Sequence, residues 1–368
     1  MGSRWPQRTW IAEAAPELKD REILRLLVQN GGREAALLMT SDRMLELVAR
    51  NREELAGCGY RFQVPALELV QMLNDKVTET EHLASLGVPV PKTVYPLPPQ
   101  PADLERELGS EVIFKPRTYA EAAIINRKNV IAKGREQIEA VYRKHREWLP
   151  LLIGQEIIPG EDGAGWVVSG SFGPRSEMLA CAMKRKVRMY PPHFGVSSIA
   201  VSEWNPDLAE LTARLGLMLG HVGHANFEYR HDYRDGSYKY IEMNPRIQGN
   251  VEFDDDTGVP TAWITYLVAL GVAVEPWTEP QRDGEYFMDA LNDWLGRLHD
   301  GESAWSIGRH YLSLRSAPWH GQYFRWSDPL PALSHVRRFM AGRVESAARR
   351  MSASADARTA VLSEGRRA

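Results

Sequence analysis

The sequence predicts an α/β protein built from more than one packed unit. Segments with helical apolar spacing alternate with short apolar runs of strand length, and several of these boundaries carry explicit cap or turn residues. With 368 residues, the chain is long enough for two or three domains of about 100–150 residues each.

Residues 1–8 show no periodic pattern, so order is expected to begin near Thr9. Helical spacing runs from Asp20 to about Gln29 and again from Ser41 to Arg50, and Ala35 to Met39 between them reads as a buried strand. No GxGxxG motif accompanies this small α/β unit, which points to a scaffolding or substrate-side role instead of a nucleotide-binding one. Asn74-Asp75 then precedes a helix from Lys76 to Leu86, stopped by Gly87 and followed by extended Val88-Pro89-Val90-Pro91. Glu111 to Pro116 reads as a strand ended by proline, so Lys115 emerges at a strand end. A helix over about Arg135 to Trp148 leads to a strand from Leu151 to Ile158, and alternation resumes from Leu179 to Met189. A helix from Asp207 to Leu219 precedes two strands around Phe227 and Ile241, joined at Asp235-Gly236. Residues 260–330 hold a helix and an aromatic-rich region, and the tail 351–368 has the composition of a disordered segment.

Composition narrows the function classes. Lys plus Arg (45) nearly balance Asp plus Glu (48), so no whole-protein field attracts nucleic acid or anionic membrane, and phosphate binding has to be local. Cys58 and Cys181 are far apart and lack metal-ligand spacing, which argues against a disulfide framework or zinc site. No apolar run approaches the roughly 18 residues of a membrane span, and no signal-peptide core is present at the N-terminus. A cytoplasmic protein is expected.

The densest chemistry lies in Asn226-Phe227-Glu228-Tyr229-Arg230 and Tyr240-Ile241-Glu242-Met243-Asn244-Pro245-Arg246. In each strand the odd positions are apolar and predicted to face the core, leaving the even ones on an open face. For both even sets to share that face, opposed residue numbers must sum to an even value, for example Glu228 opposite Asn244 and Arg230 opposite Glu242. A two-residue Asp235-Gly236 loop gives an odd sum, so an odd-length connection or a bulge is predicted. Glu228, Glu242 and Asn244 then form a patch of hard oxygen donors suited to magnesium, with manganese an alternative. A solvated hairpin face pairing Glu242 with Arg230 is the plainer reading of this motif alone.

Cations occur at separated points, and no GxxxxGK[ST] exists anywhere. Lys76 starts a helix, and Lys115 projects from a rigid strand end as a point charge for a phosphate would. Between Leu179 and Met189 the odd positions are largely apolar, which aligns Lys184, Lys186 and Arg188 on the other face. Such a row fits opposite an anion, although edge strands also carry lysine defensively. Gln155-Glu156-Ile157-Ile158 could offer backbone to an adenine edge, with Glu161 and Asp162 following as ribose acceptors; an ordinary core strand would look the same.

Together these residues resemble the ATP-grasp superfamily over roughly residues 70–260: Lys76 before Gly87-Val88-Pro89-Val90-Pro91, Lys115, Gln155 to Ile158, Glu228, and Glu242 to Arg246. The resemblance implies two α+β subdomains sandwiching ATP, with a pre-grasp unit over 9–74, the grasp domain over 75–270 (its lid about 112–155), and a helical and aromatic extension over 271–350. It implies Lys76, Lys115 and Lys186 on phosphates, Gln155 with the Glu156 and Ile158 backbone on adenine, and Glu161 on ribose. Glu228, Glu242 and Asn244 would hold magnesium, and Lys184 or Arg188 with Arg246 would stabilise the γ-phosphate or an acyl phosphate. Lys184 to Gly195 is similar to the branch of carboxylate–amine ligases that contains D-aspartate ligases. The stretch Arg117 to Lys128 departs from the superfamily by lacking glycine, so Arg117, Arg127 or Lys128 would replace backbone cradling there.

That resemblance implies activation of a small carboxylate as an acyl phosphate and its attack by an amine, with release of ADP and phosphate. The absence of a Gly-x-Ser-x-Gly elbow or Cys–His signature agrees, because this chemistry needs no covalent nucleophile. His193 and His224 are read as structural histidines. Bicarbonate as the acid, or an ATP-binding scaffold that docks through the basic segment 336–350, are the alternatives. Partners are small molecules, not nucleic acid; a homodimer is compatible with the sequence.

Overall fold

A computed structural model describes residues 6, 8–13, 15, 18–31, 35–125, 129–313, 318–325 and 327–341. The chain divides into two compact units, Ala12–His320 and the pair of segments Met1–Ile11 with Gly321–Ala368. The second unit contributes a helix over 330–341. Arg127, Lys128, most of the basic segment (342–350) and the tail 351–368 lie outside the described residues.

Two antiparallel sheets organise the first unit. The smaller has the order β1-β4-β2-β3, where β1 is Thr93–Val94, β2 Glu111–Pro116, β3 Val130–Lys133 and β4 Leu152–Glu156. Helices Pro101–Leu108 and Arg135–Lys144 cover one of its faces, burying Leu104, Leu108, Ile138 and Val141 against Val112, Phe114 and Leu152. The larger sheet has the order β11-β10-β7-β6-β5-β8-β9. Its strands are β5 (Gly165–Phe172), β6 (Met178–Tyr190), β7 (Val196–Ser202), β8 (Gly223–Asp232), β9 (Ser237–Asn244), β10 (Tyr286–Met288) and β11 (Trp319–Gly321).

Both faces of the large sheet are used. Phe227, Tyr229, Val168 and Phe172 pack against Leu208 and Leu215 of helix Pro206–Met218 and Leu83 of helix Lys76–Ser85. On the opposite face, Ala180 and Ala182 meet Ile264 and Val268 of helix Thr261–Ala269. That helix covers only part of this face, and the remainder fronts the small sheet.

Most helix boundaries follow the residues that signal them. Asp75 caps Lys76–Ser85 by accepting from the Val77 and Thr78 amides at 3.0 and 3.4 Å, and Gly87 takes the left-handed conformation at φ 77° that ends it. Asn205 caps Pro206–Met218. The expected helix to Trp148 stops at Lys144 and continues as a 3-10 turn, Arg146–Leu151, which contains Pro150. The strand expected at Ala35–Met39 is reduced, among the described residues, to one parallel bridge, Ala36 to Arg61, in which the Leu37 amide donates to Arg61 at 2.8 Å and the Arg61 amide to Ala35 at 3.0 Å. Within the glycine-free stretch after Lys115, residues Tyr119–Ile125 form a helix.

Candidate functional site

A cleft of about 930 Å³ lies between the two sheets. Its large-sheet wall is set by the β8–β9 register. Asn226 pairs with Asn244 and Glu228 with Glu242, after which the pairing jumps to Tyr229 with Tyr240. Ile241 is therefore the extra residue of a bulge. The four-residue connection from Asp232 to Ser237 imposes an odd sum near the turn, and the bulge restores the even sum that brings the polar side chains to one face.

Of the two expected devices, an odd-length connection or a bulge, the bulge is the one present, but the partners differ by one step of alternation. Glu228 faces Glu242 and not Asn244, and Arg230 faces Lys239 and not Glu242. Arg230 instead donates to the carbonyls of Ile158 (2.8 Å) and Gly160, tying β8 to the segment after β4. Because two residues of β9 oppose one of β8 at the bulge, Ile241 lines the cleft while Tyr240 enters the core.

Two carboxylates directly across a ladder repel, and cations surround this pair. Lys186 Nζ lies 2.7 Å from Glu228 Oε2. Gly165 gives its stem room, since a Cβ there would sit 2.9 Å from Lys186 Cδ. Glu242 accepts from the Asn244 amide at 3.2 Å. Burial pushes the Glu242 carboxyl up, but Lys115, Lys76, the Asn244 hydrogen bond and Lys186 together hold it below the ordinary carboxylate value. Burial likewise depresses the Lys115 ammonium, aided by Lys76 and opposed by Glu242 and Glu228. Lys115 comes from the facing sheet, donating to Gln155 Oε1 at 2.8 Å. The two walls thus meet in opposite charges.

These donors fit magnesium. Two carboxylates at one register step and an adjacent amide oxygen leave further coordination positions for water and phosphate. Among the described residues no group of three or more His, Cys, Asp or Glu side chains is placed to hold a metal ion.

Ten of the thirteen residues expected from sequence line this cleft: Lys76, Lys115, Gln155, Glu156, Ile158, Lys186, Glu228, Glu242, Asn244 and Arg246. Three do not. Lys184 shares the face of Lys186 but is sealed at 1% exposure, with Nζ 3.4 Å from Asn250 Oδ1 and 3.7 Å from Asp254 Oδ1. Arg188 is diverted by a register shift between Lys186 and Arg188, which turns Met189 into the cleft and Arg188 toward Asp293 at 2.6 and 3.1 Å. Glu161 is exposed ahead of the turn Asp162–Ala164. Arg117 is also absent from the cleft lining, pinned to Asp75 at 2.8 and 2.9 Å and stacked over Tyr95. His224 is buried, which pushes its pKa down to about 3, and it contacts Asn226 at 3.3 Å; His193 meets Asp162 at 3.0 Å.

Asp42, Tyr119 and the segment after Arg246 were not foreseen. Arg246 Nε donates to Asp42 Oδ1 at 2.8 Å and Nη2 to Asn244 Oδ1 at 3.1 Å. The Ile247 amide donates to Met39 at 3.0 Å, and Gln248 and Ser169 both donate to Asn226 Oδ1. The Asp42 contact spans 204 positions in sequence, and no local motif signals it.

Two antiparallel sheets closing on a cleft, with Lys115 on one wall and Glu228, Glu242 and Asn244 on the other, form an ATP-grasp-like fold, and the chain is similar in sequence to proteins of the ATP-grasp superfamily. No family model matches it. It is 25% identical over 231 residues to D-aspartate ligase of Enterococcus faecium, covering 59% of this chain and 54% of that protein. It is 25% identical over 255 residues to biotin carboxylase of Allochromatium vinosum, covering 63% and 52%. The chain thus spans about half the length of these relatives. Among solved structures it resembles the biotin carboxylase domain of Hydrogenobacter thermophilus 2-oxoglutarate carboxylase, crystallised with MgADP, ADP and bicarbonate, at a TM-score of 0.57 and 18% identity, covering 73% of this chain and 60% of that one. Among the described residues no helix is long and apolar enough to cross a membrane.

Proposed function

We propose that the protein binds ATP in this cleft and transfers its γ-phosphoryl group to a small carboxylate, forming an acyl phosphate that an amine then attacks. The observation that carries the reading is the bulged β8–β9 register, which sets Glu228, Glu242 and Asn244 on one wall opposite Lys115 on the other.

A carboxylate resists nucleophiles because resonance and charge protect its carbon, and phosphorylation supplies a leaving group. Magnesium, when bound, supplies charge neutralisation along the triphosphate. Glu228, Glu242 and the Asn244 oxygen would hold it. Lys76, Lys115 and Lys186 bind phosphate oxygens, and Arg246 receives the γ-phosphoryl end. The lid backbone at Glu156 and Ile158 receives the adenine edge; the Gln155 side chain, held by Lys115 and by Thr93 at 2.9 Å, positions that lysine. Glu161, exposed and outside the cleft lining, is not assigned to the ribose. Positioning and charge compensation are the protein's contribution, and no covalent nucleophile is needed. We assign Lys184 and Arg188 to support of the sheet, since their partners Asp254 and Asp293 are buried.

The likeness to D-aspartate ligase supports the amine acceptor. The likeness to biotin carboxylase, of nearly equal extent, supports a second reading in which bicarbonate is the acid. Phosphate release from Mg-ATP separates them: an amino acid or diacid whose turnover rises with an added amine supports the ligase, and turnover that requires bicarbonate supports the carboxylase. Nucleotide binding with no turnover under either condition contradicts both.

A further inference from the structure

The Arg246–Asp42 pair joins the cleft to the N-terminal segment at the end where Asn244 and Glu242 lie. Asp42 begins the helix Asp42–Arg50 and lines the cleft, with its side chain 17% exposed. Ser41 caps that helix through the Met44 amide at 3.3 Å, so the Asp42 carboxylate is not consumed as the cap. The Tyr119 hydroxyl of the lid helix also faces Asp42, and Lys76 Nζ lies 5.6 Å from the centre of the Tyr119 ring.

Among the described residues four acids line the cleft, and three have other work. Glu156, on the lid strand, is held by Arg234 at 3.2 Å and accepts from the Lys92 amide at 2.8 Å. Glu228 is paired with Lys186, and Glu242 belongs with Glu228 and Asn244. Asp42 is paired with Arg246, the residue that must serve an incoming anion. When Arg246 turns to a phosphate, Asp42 loses its counter-charge in a partly desolvated place, a costly state unless another cation enters.

Resting on the ligase reading above, we propose that Asp42 receives the ammonium group of a substrate once Arg246 engages phosphate, so that the N-terminal segment selects for a cationic amine at this end of the cleft. Asp42 is a specificity-determining residue here, and the ammonium comes either from an amino-acid carboxylate substrate or from the incoming amine, which gives up one proton to water before its nitrogen attacks the acyl carbon and phosphate leaves. Each formation of an anion–Arg246 contact then frees the group that binds the cation, which couples the two substrates through one ion-pair exchange.

The test follows ADP release with Mg-ATP in wild type, Asp42→Asn and Asp42→Glu. Aspartate is compared with succinate as the acid, and ammonium-bearing amino acids with hydroxylamine, largely uncharged above neutral pH, as the acceptor. In Asp42→Asn the ratio of kcat/KM for the ammonium-bearing member over the uncharged member falls about tenfold or more in one of the pairs, as loss of a charge-assisted hydrogen bond requires. The pair affected identifies the source of the ammonium, and Asp42→Glu recovers most of the ratio. Unchanged ratios in both pairs, with thermal melts showing folded protein, overturn the proposal while the ligase reading stands. A fall matched by an equal rise in the KM for ATP also overturns it, because Asp42 then only supports Arg246. Absence of wild-type turnover with every pair overturns the ligase reading and this inference with it.

Discussion

Glu228 and Glu242 sit directly opposite each other across the β8–β9 ladder, one position before the bulge at Ile241 breaks the alternation. Like charges at such a site destabilise a sheet, so the pairing makes sense as part of a site that a cation completes. Lys186 and Lys115 compensate it from two directions. Removing one carboxylate should uncouple nucleotide binding from magnesium. In Glu242→Gln, the thermal stabilisation by Mg-ATP, which for a ligand at a hundredfold excess over its Kd is about 2.7 kcal/mol, should disappear. A variant that melts with the same Mg-ATP shift as wild type would remove Glu242 from the site.

Gly165 allows the Lys186 stem to cross β5, and an added Cβ would sit 2.9 Å from it. Gly165→Ala should displace Lys186 from Glu228, lower ATP affinity, and cost about 1–3 kcal/mol of stability through overpacking. Denaturant titration together with nucleotide titration checks both effects; unaltered affinity would mean that Lys186 has another route to the phosphates.

Glu79 lies below this wall, 4% exposed and hydrogen-bonded to the Tyr240 hydroxyl. Burial, reinforced by Glu242, pushes its pKa up to about 8. The folded state therefore binds a proton that the unfolded chain releases near 4.5, so stability falls as pH rises from about 4.5 to about 8, by up to about 1.4 kcal/mol per pH unit. Glu79→Gln keeps a hydrogen-bonding side chain without the charge, and its melting temperature should decline less across that window. Parallel wild-type and variant curves would place the pH dependence elsewhere.

Arg188 and Asp293 form a two-point pair behind the cleft, joined by the Tyr311 hydroxyl at 2.6 Å. Asp293 is buried. Arg188→Ala should cost about 3 kcal/mol by leaving that carboxylate without its cation, while ATP affinity stays unchanged. Selective loss of turnover in a variant of normal stability would return Arg188 to the reacting centre.

Sequence made the local features of this site visible where one strand or one cap decided them. The Asp75 cap, the emergence of Lys115 and the need for either a β8–β9 bulge or an odd-length connection all follow from spacing within a few residues. The position of the bulge does not, because the four-residue turn and the bulge jointly fix the sum, and either could be placed differently. Alternation along β6 fails after Lys186 for a similar reason: a register shift against β7 moves Arg188 off the cleft face. The interior strand β5 escaped notice because Gly165, Gly170 and two serines dilute its apolar pattern. Asp42 could not be found locally at all, since its meaning depends on Arg246 more than two hundred residues away.

The most direct test is acyl phosphate trapping. Wild-type protein and Glu242→Gln are incubated with Mg-ATP, hydroxylamine and a panel of amino acids and small diacids, and ADP and hydroxamate are both measured. One acid is predicted to yield ADP and its hydroxamate in equal amounts with wild type and neither with the variant. Folded wild-type protein that binds no Mg-ATP, or that releases ADP with no hydroxamate from any acid, would contradict the account.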